Sequence, residues 1–182
     1  VFQAAGSFPD WNPQHFLDIG EMTCAFSIGY DWLYDVWTDE QKKFLEDTIY
    51  NYGLLVVEKA YYNQLGSDAW WTPNNTTNWN VVCNGGMSMG AVALFDKYPE
   101  LCSNLIQLQV RDVEAMMNSF YPAGAWFEGI GYWSYTLDYT VNMFSTLQAC
   151  FGTDFNLTKA PGFDRTIYFS MAGDGPTAIN NY

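Results

Sequence analysis

Apolar residues return at every third or fourth position along most of this chain, and that period leaves room for little but helices. Over residues 13–37 the series Phe16, Ile19, Met22, Phe26, Tyr30, Leu33 and Val36 predicts one long amphipathic helix with Pro13 in its first turn. Thr38 then reads as a helix N-cap with Gln41 as its capping-box partner, and Asp39 and Glu40 suit the positive helix end. The next stripe is Phe44, Leu45, Ile49, Tyr52 and Val56, so the two segments form a helical hairpin. A third helix is expected over residues 80–98. A fourth begins at Pro99, with Glu100 in its first turn, and runs to the break at "YPAG". A fifth spans 132–151 and stops at Gly152. Beyond Gly152 the chain shows Gly and Pro punctuation and no clear period. The expectation is a single all-α domain over residues 1–182, built as an array of antiparallel hairpins.

Composition narrows the function classes. The chain is 49% hydrophobic and 19% aromatic with 15% charged residues, which suits a packed globule and not a disordered segment. No apolar run approaches the roughly 18 residues of a membrane span, so no membrane partner is expected. Seven Lys and Arg against 20 Asp and Glu give a net charge of −13, which argues against nucleic acid, whose phosphates need clustered cations. Cys24, Cys83, Cys102 and Cys150 fit no metal-ligand spacing and read as buried free thiols. No metal and no cofactor are expected. The sequons at Asn74, Asn75 and Asn156 are of a pattern common by chance.

Two stretches stand out from the helical background. "NNTTNWNVVCNGGM", residues 74–87, closes a long polar and aromatic connector over residues 62–78 that also holds Trp70, Trp71 and Pro73. One reading has Asn78 or Asn80 capping the third helix and Gly85 and Gly86 permitting close helix packing. The other aims uncharged amides and indoles at a sugar, whose hydroxyls and C–H faces they complement. In "GAWFEGIGYWSYTLDY", Tyr132, Tyr135 and Tyr139 share one helix face. Tyr139 reads as packing, while Glu128 lies beside two glycines, Gly129 and Gly131, that would let a ligand approach.

Together with "DWNPQHFLDIGEMTCAFSIGYDWLYD" and "GPTAINNY", these segments resemble, in order and approximate spacing, the helical domain of heparinase II/III-like polysaccharide lyases. The resemblance implies a partial (α/α) toroid of antiparallel hairpins, an incomplete piece of a larger enzyme whose C-terminal β-sandwich is absent here. It also implies a secreted or periplasmic location and an acidic polysaccharide or oligosaccharide substrate cleaved by β-elimination. In such a reaction the uronate carboxylate must be hydrogen-bonded to stabilise charge developing at C5, and a tyrosine transfers the proton.

Carried over, Asn80 or Asn78 matches the amide and Tyr135 or Tyr132 the phenol. Asn80 is favoured at the start of the helix, where backbone N–H groups also attract an anion; Tyr135 is favoured one turn into its motif. Trp79, Glu128, Trp126, Trp133 and Asn84 are the expected substrate-binding residues. The sequence departs from the family pattern in having Ala123 where relatives often carry Asp and only Arg111 and Arg165 as arginines. Its one histidine, His15, reads as a packing or capping residue. The alternatives are a toroid glycoside hydrolase using Glu128 and Asp138, and a non-catalytic glycan-binding domain. Toroid surfaces left uncovered would favour self-association. The polymer, endo or exo action and the oligomeric state are not legible in the sequence.

Overall fold

The computed structural model describes residues 1–73 and 75–173. Asn74 and the "GPTAINNY" segment lie outside these. Among the described residues the regular structure is entirely helical. After a short α1 (Phe2–Ala5) come α2 (Leu17–Trp32), α3 (Asp39–Thr48) and α4 (Leu55–Tyr61). Then follow α5 (Asn78–Ala93), α6 (Pro99–Met117), α7 (Ile130–Phe151) and α8 (Thr166–Gly173). No described helix is long and apolar enough to cross a membrane.

The elements follow the sequence pattern except where the backbone has to turn. The first long helix begins at Leu17, not at Pro13, because Phe16 takes a left-handed backbone (φ +68°) and Asn12 another (φ +54°). That turn buries the Phe16 ring completely, 4.8 Å from the Trp71 ring. Thr38 caps α3 as expected: its Oγ1 accepts from Gln41 N at 3.2 Å and its N–H donates to Gln41 Oε1 at 2.9 Å. A wide π-helical stretch, Ile49–Leu54, joins α3 to α4, which the sequence period does not reveal. Helix α5 starts two residues earlier than expected and ends at Ala93; residues 94–98 turn the chain into α6. Gly152 ends α7 in the left-handed conformation (φ +72°), its N–H on the Gln148 carbonyl. The aperiodic tail contains α8, an apolar helix with no buried residue.

Helix α5 is the centre of the packing, with twelve of its sixteen residues buried. Along α2, the Phe16 carbonyl meets Cys83 of α5, Gly20 meets Val82 and Gly86, and Thr23 meets Gly90, so the two helices run in the same direction. Along α7, Glu128 just ahead of the helix meets Asn78, Tyr139 meets Gly85 and Thr146 meets Met89, so α7 is parallel to α5 as well. The intervening chain runs back: α6 brings Asp112, near its end, to Asn80 at the beginning of α5.

The adjacent glycines have separate tasks. Successive helix positions differ by about 100° around the axis, so Gly86 faces α2 while Gly85 faces α7. A Cβ on Gly86 would lie 2.1 Å from the Gly20 carbonyl oxygen, and one on Gly85 3.0 Å from the Tyr139 carbonyl oxygen. The packing reading of this pair is the one the structure realises. Three of the cysteines are buried free thiols; Cys150, on the last turn of α7, is exposed instead.

Gly86→Ala must push two backbones apart and should cost about 2–3 kcal/mol in a denaturant titration. Gly66→Asn is the comparison, at a left-handed position (φ +57°) with nothing within 4 Å of an added Cβ. It should stay within about 0.5 kcal/mol of wild type.

Candidate functional site

The beginnings of α2, α5 and α7 meet at one end of the molecule, and most of the residues singled out in the sequence lie there. Gly129, at φ +93°, lets the chain reverse ahead of α7 so that Glu128 reaches back across to α5. The Glu128 carboxylate accepts from the Asn78 backbone N–H at 2.6 Å, from Asn78 Nδ2 at 2.9 Å and from Trp126 Nε1 at 3.1 Å. The anion expected at the start of this helix is thus the protein's own. Thr77, not Asn78 or Asn80, is the N-cap residue, and its hydroxyl donates to Asn75 Oδ1 instead of serving the helix. Glu128 supplies the missing cap from fifty residues away, where the positive helix end favours a carboxylate.

Asn80 is wholly buried. Its Nδ2 donates to the Asn75 carbonyl at 2.7 Å and the Asp112 carbonyl at 3.0 Å, and its Oδ1 accepts from Asn84 Nδ2 at 3.1 Å. Asn84 Oδ1 in turn accepts from the Tyr61 hydroxyl at 2.6 Å. The buried Asp112 carboxylate takes Thr72 Oγ1 at 2.6 Å and Arg111 at 2.9 Å, tying the long connector to α6. Both N–H groups of Asn80 are therefore engaged inside the protein, as is the Asn78 side-chain amine. The sequence could not show this, because the partners come from the connector, α4, α6 and the loop before α7.

The expected substrate-binding set divides. Trp126 is buried against Phe120, Trp133 is buried with its Nε1 on Thr166 Oγ1 at 2.7 Å, and Asn84 is buried in the amide chain. None of these three offers a face to a ligand, because aromatic spacing along α7 places Trp133 inward and the turn folds Trp126 under Glu128. Trp79 remains half-buried at the surface, between His15 and Trp70.

The phenols part in the same way. Tyr132 turns to solvent, while Tyr135 is half-buried and donates its hydroxyl hydrogen to the Glu21 carboxylate of α2, across the space between α2 and α7. Burial, together with this carboxylate, holds the Tyr135 phenol well above the usual tyrosine range. Tyr139, edge-on to Tyr135 with ring centroids 5.5 Å apart, is likewise pushed upward by burial and by Glu21. Tyr135 and Tyr139 line a hollow of 520 Å³ with Cys24, Asp138 and Asn142. Glu21 was not singled out in the sequence; on α2 it is one more surface carboxylate, and only the helix pairing gives it a phenol.

His15 is neither buried nor a helix cap. It lies in the turn before α2 with its side chain half exposed, Nδ1 2.7 Å from Asp18 Oδ2, and its ring edge-to-face with Trp79 at 4.9 Å.

The described residues contain no cluster of His, Cys, Asp and Glu able to hold a metal ion. Comparison with family models and with curated proteins gives no match for this chain.

Glu128→Ala would leave the Asn78 N–H, the Asn78 amide and the Trp126 indole without their acceptor. A loss of about 2–4 kcal/mol is expected in thermal or denaturant unfolding. Glu128→Gln keeps one acceptor oxygen and should lose roughly half as much.

Proposed function

We propose that this chain is the helical part of a polysaccharide lyase that cleaves uronic-acid-containing glycans by β-elimination, with its hairpins forming part of an (α/α) toroid. The alternation of parallel α2, α5 and α7 with reversed helices between them supports the architectural half of this reading, since a toroid is layered in that way. The observation that carries the chemical half is Tyr135, which lines the α2–α7 hollow and donates its hydroxyl hydrogen to Glu21.

A phenol held neutral by burial and a neighbouring carboxylate is not a standing phenolate base, but it can relay a proton. As the C5–H bond breaks, its proton passes to the Tyr135 oxygen while the phenol's own proton moves to Glu21. The C5–H electron pair becomes the C4–C5 double bond and the C4–O4 bond breaks. The departing O4 then takes a proton back through Tyr135. One proton has moved from C5 to O4, and no oxidant or co-reactant is consumed. Asn78 and Asn80 act in this reading as positioning residues, through the start of α5 and the Glu128 turn. The hydrolase alternative is less well supported. The Glu128 carboxylate is engaged by Asn78 and Trp126 at the start of α5, whereas Asp138 lines the hollow between α2 and α7.

A panel of uronate polymers incubated with the natural full-length protein should yield a conjugated unsaturated uronate, read as a rise in ultraviolet absorbance. A new reducing end without that absorbance would assign hydrolysis instead, and neither signal would remove the enzymatic reading. Tyr135→Phe should lower turnover by about 10²–10⁴-fold with binding nearly retained, because only a hydroxyl acting in the transition state is lost. Tyr132→Phe should be close to neutral, and full activity in Tyr135→Phe would take this phenol out of the mechanism.

A further inference from the structure

We infer that His15, Trp79 and Trp70 form a saccharide-binding subsite at the start of α5, the indoles carrying the C–H face of a pyranose ring and His15 Nε2 accepting one of its hydroxyls. The inference deepens the glycan part of the reading above and rests on it, but it concerns binding, not the elimination step.

The cluster is presented by unusual backbone. Two non-glycine residues with positive φ, Asn12 and Phe16, bracket the turn that carries His15. The turn is closed by His15 N–H and Phe16 N–H, both donating to the Asn12 carbonyl at 3.0 Å. Asn tolerates this region, but a bulky aromatic residue such as Phe16 adopts it only where the surroundings hold it. Here the buried Phe16 ring, against Trp71, is the anchor. What the strained turn achieves is placement. It sets the imidazole against Trp79, while Asp18, which also accepts from Asn12 Nδ2 at 3.2 Å, orients the ring through Nδ1. A neutral imidazole donating to Asp18 through Nδ1 carries its lone pair on Nε2. Nε2 has no partner among the described residues, and the side chain is 52% exposed.

The indoles complete the surface. Trp79, on the first turn of α5, packs at 4.7 Å from Trp70, and Trp70, on the long connector, is 49% exposed. Burying a large aromatic ring is favourable, so a half-exposed indole pair braced by an oriented imidazole is an arrangement that stability alone does not call for. An apolar plane edged by a fixed hydrogen-bond acceptor is what a sugar requires: its axial C–H groups cover the ring while a hydroxyl finds the acceptor. The deeper amides of Asn78 and Asn80 do not serve here, because both side chains are buried, and both N–H groups of Asn80 are engaged within the protein. Asp18 and Glu21 lie one turn apart on α2, so a chain of sugars resting on Trp70 and Trp79 can extend toward Tyr135.

The test uses the full-length protein carrying Tyr135→Phe, so that binding is read without turnover. The probes are tetrasaccharides of 1,4-linked glucuronate, mannuronate and galacturonate, with cellotetraose as the neutral counterpart. Addition of a binding tetrasaccharide should quench tryptophan fluorescence, and Trp70→Ala and His15→Ala should each weaken affinity about fivefold to tenfold. Trp32→Ala, an exposed indole at the other end of α2, should change nothing. His15 is the only histidine of the chain. Its imidazole proton resonances, identified by their absence from the His15→Ala spectrum, should shift on saccharide addition in the protein with His15, Trp70 and Trp79 unaltered, which covers the case of a variant that does not fold. Binding of cellotetraose alone would keep the subsite and overturn the uronate reading. Formation of unsaturated product by the protein with Tyr135 intact, with affinities unchanged in both variants and no shift at His15, would keep the lyase reading and overturn the subsite. No binding by any of the four probes would overturn the subsite as well.

Discussion

Everything around the start of α5 depends on how closely its backbone approaches that of α2. At Gly20 and Gly86 the two helices meet with no side chain between them, and a single added methyl would fall 2.1 Å from a carbonyl oxygen. Helices packed this tightly exclude water, so polar groups on α5 must find partners within the protein or carry a desolvation cost. That requirement produces the chain from Tyr61 through Asn84 and Asn80 to the Asp112 carbonyl, and the return of Glu128 to the Asn78 N–H, which has no partner within the helix. The glycines and the asparagines of "NNTTNWNVVCNGGM" are therefore two sides of one constraint.

The same constraint separates structural polar groups from chemically accessible ones. Below the surface the Asn80 and Asn84 amides are held from several elements at once, while Asn78 Oδ1 and the buried Gln109 amide have no hydrogen-bond partner among the described residues. At the surface the polar groups are fewer and oriented by a single hydrogen-bond partner each: Tyr135, between α7 and α2, by Glu21, and His15, in the turn before α2, by Asp18. Such groups can exchange a partner for a ligand without breaking the core. Helix α2 supplies a carboxylate to both, one turn apart, which gives this helix a part in the site that its sequence does not announce.

The local pattern carried much of the fold. The Thr38–Gln41 cap, the start of α6 at Pro99 and the stop at Gly152 depend on residues within a few positions of one another, and each appears where the sequence places it. Boundaries shifted where a side chain outweighed local propensity, as when Phe16 takes a left-handed backbone to reach Trp71. The tail helix α8 was illegible because it is short and apolar nearly all round, with only Phe169 leaning on the core, and so leaves no period to read.

By itself the sequence determined the helical class, the Thr38 cap, the start at Pro99 and the stop at Gly152. All of these rest on short-range stereochemistry or on the period of a helix. Only the tertiary structure decided which polar groups are engaged and which are open. It enclosed Asn80, Asn84, Trp126 and Trp133, brought Glu128 to α5 and Glu21 to Tyr135, and left His15 half exposed beside Trp79. These pairings join residues up to 114 positions apart, and no spacing rule reaches that far. They follow from which helices lie side by side, which is settled by packing the whole core.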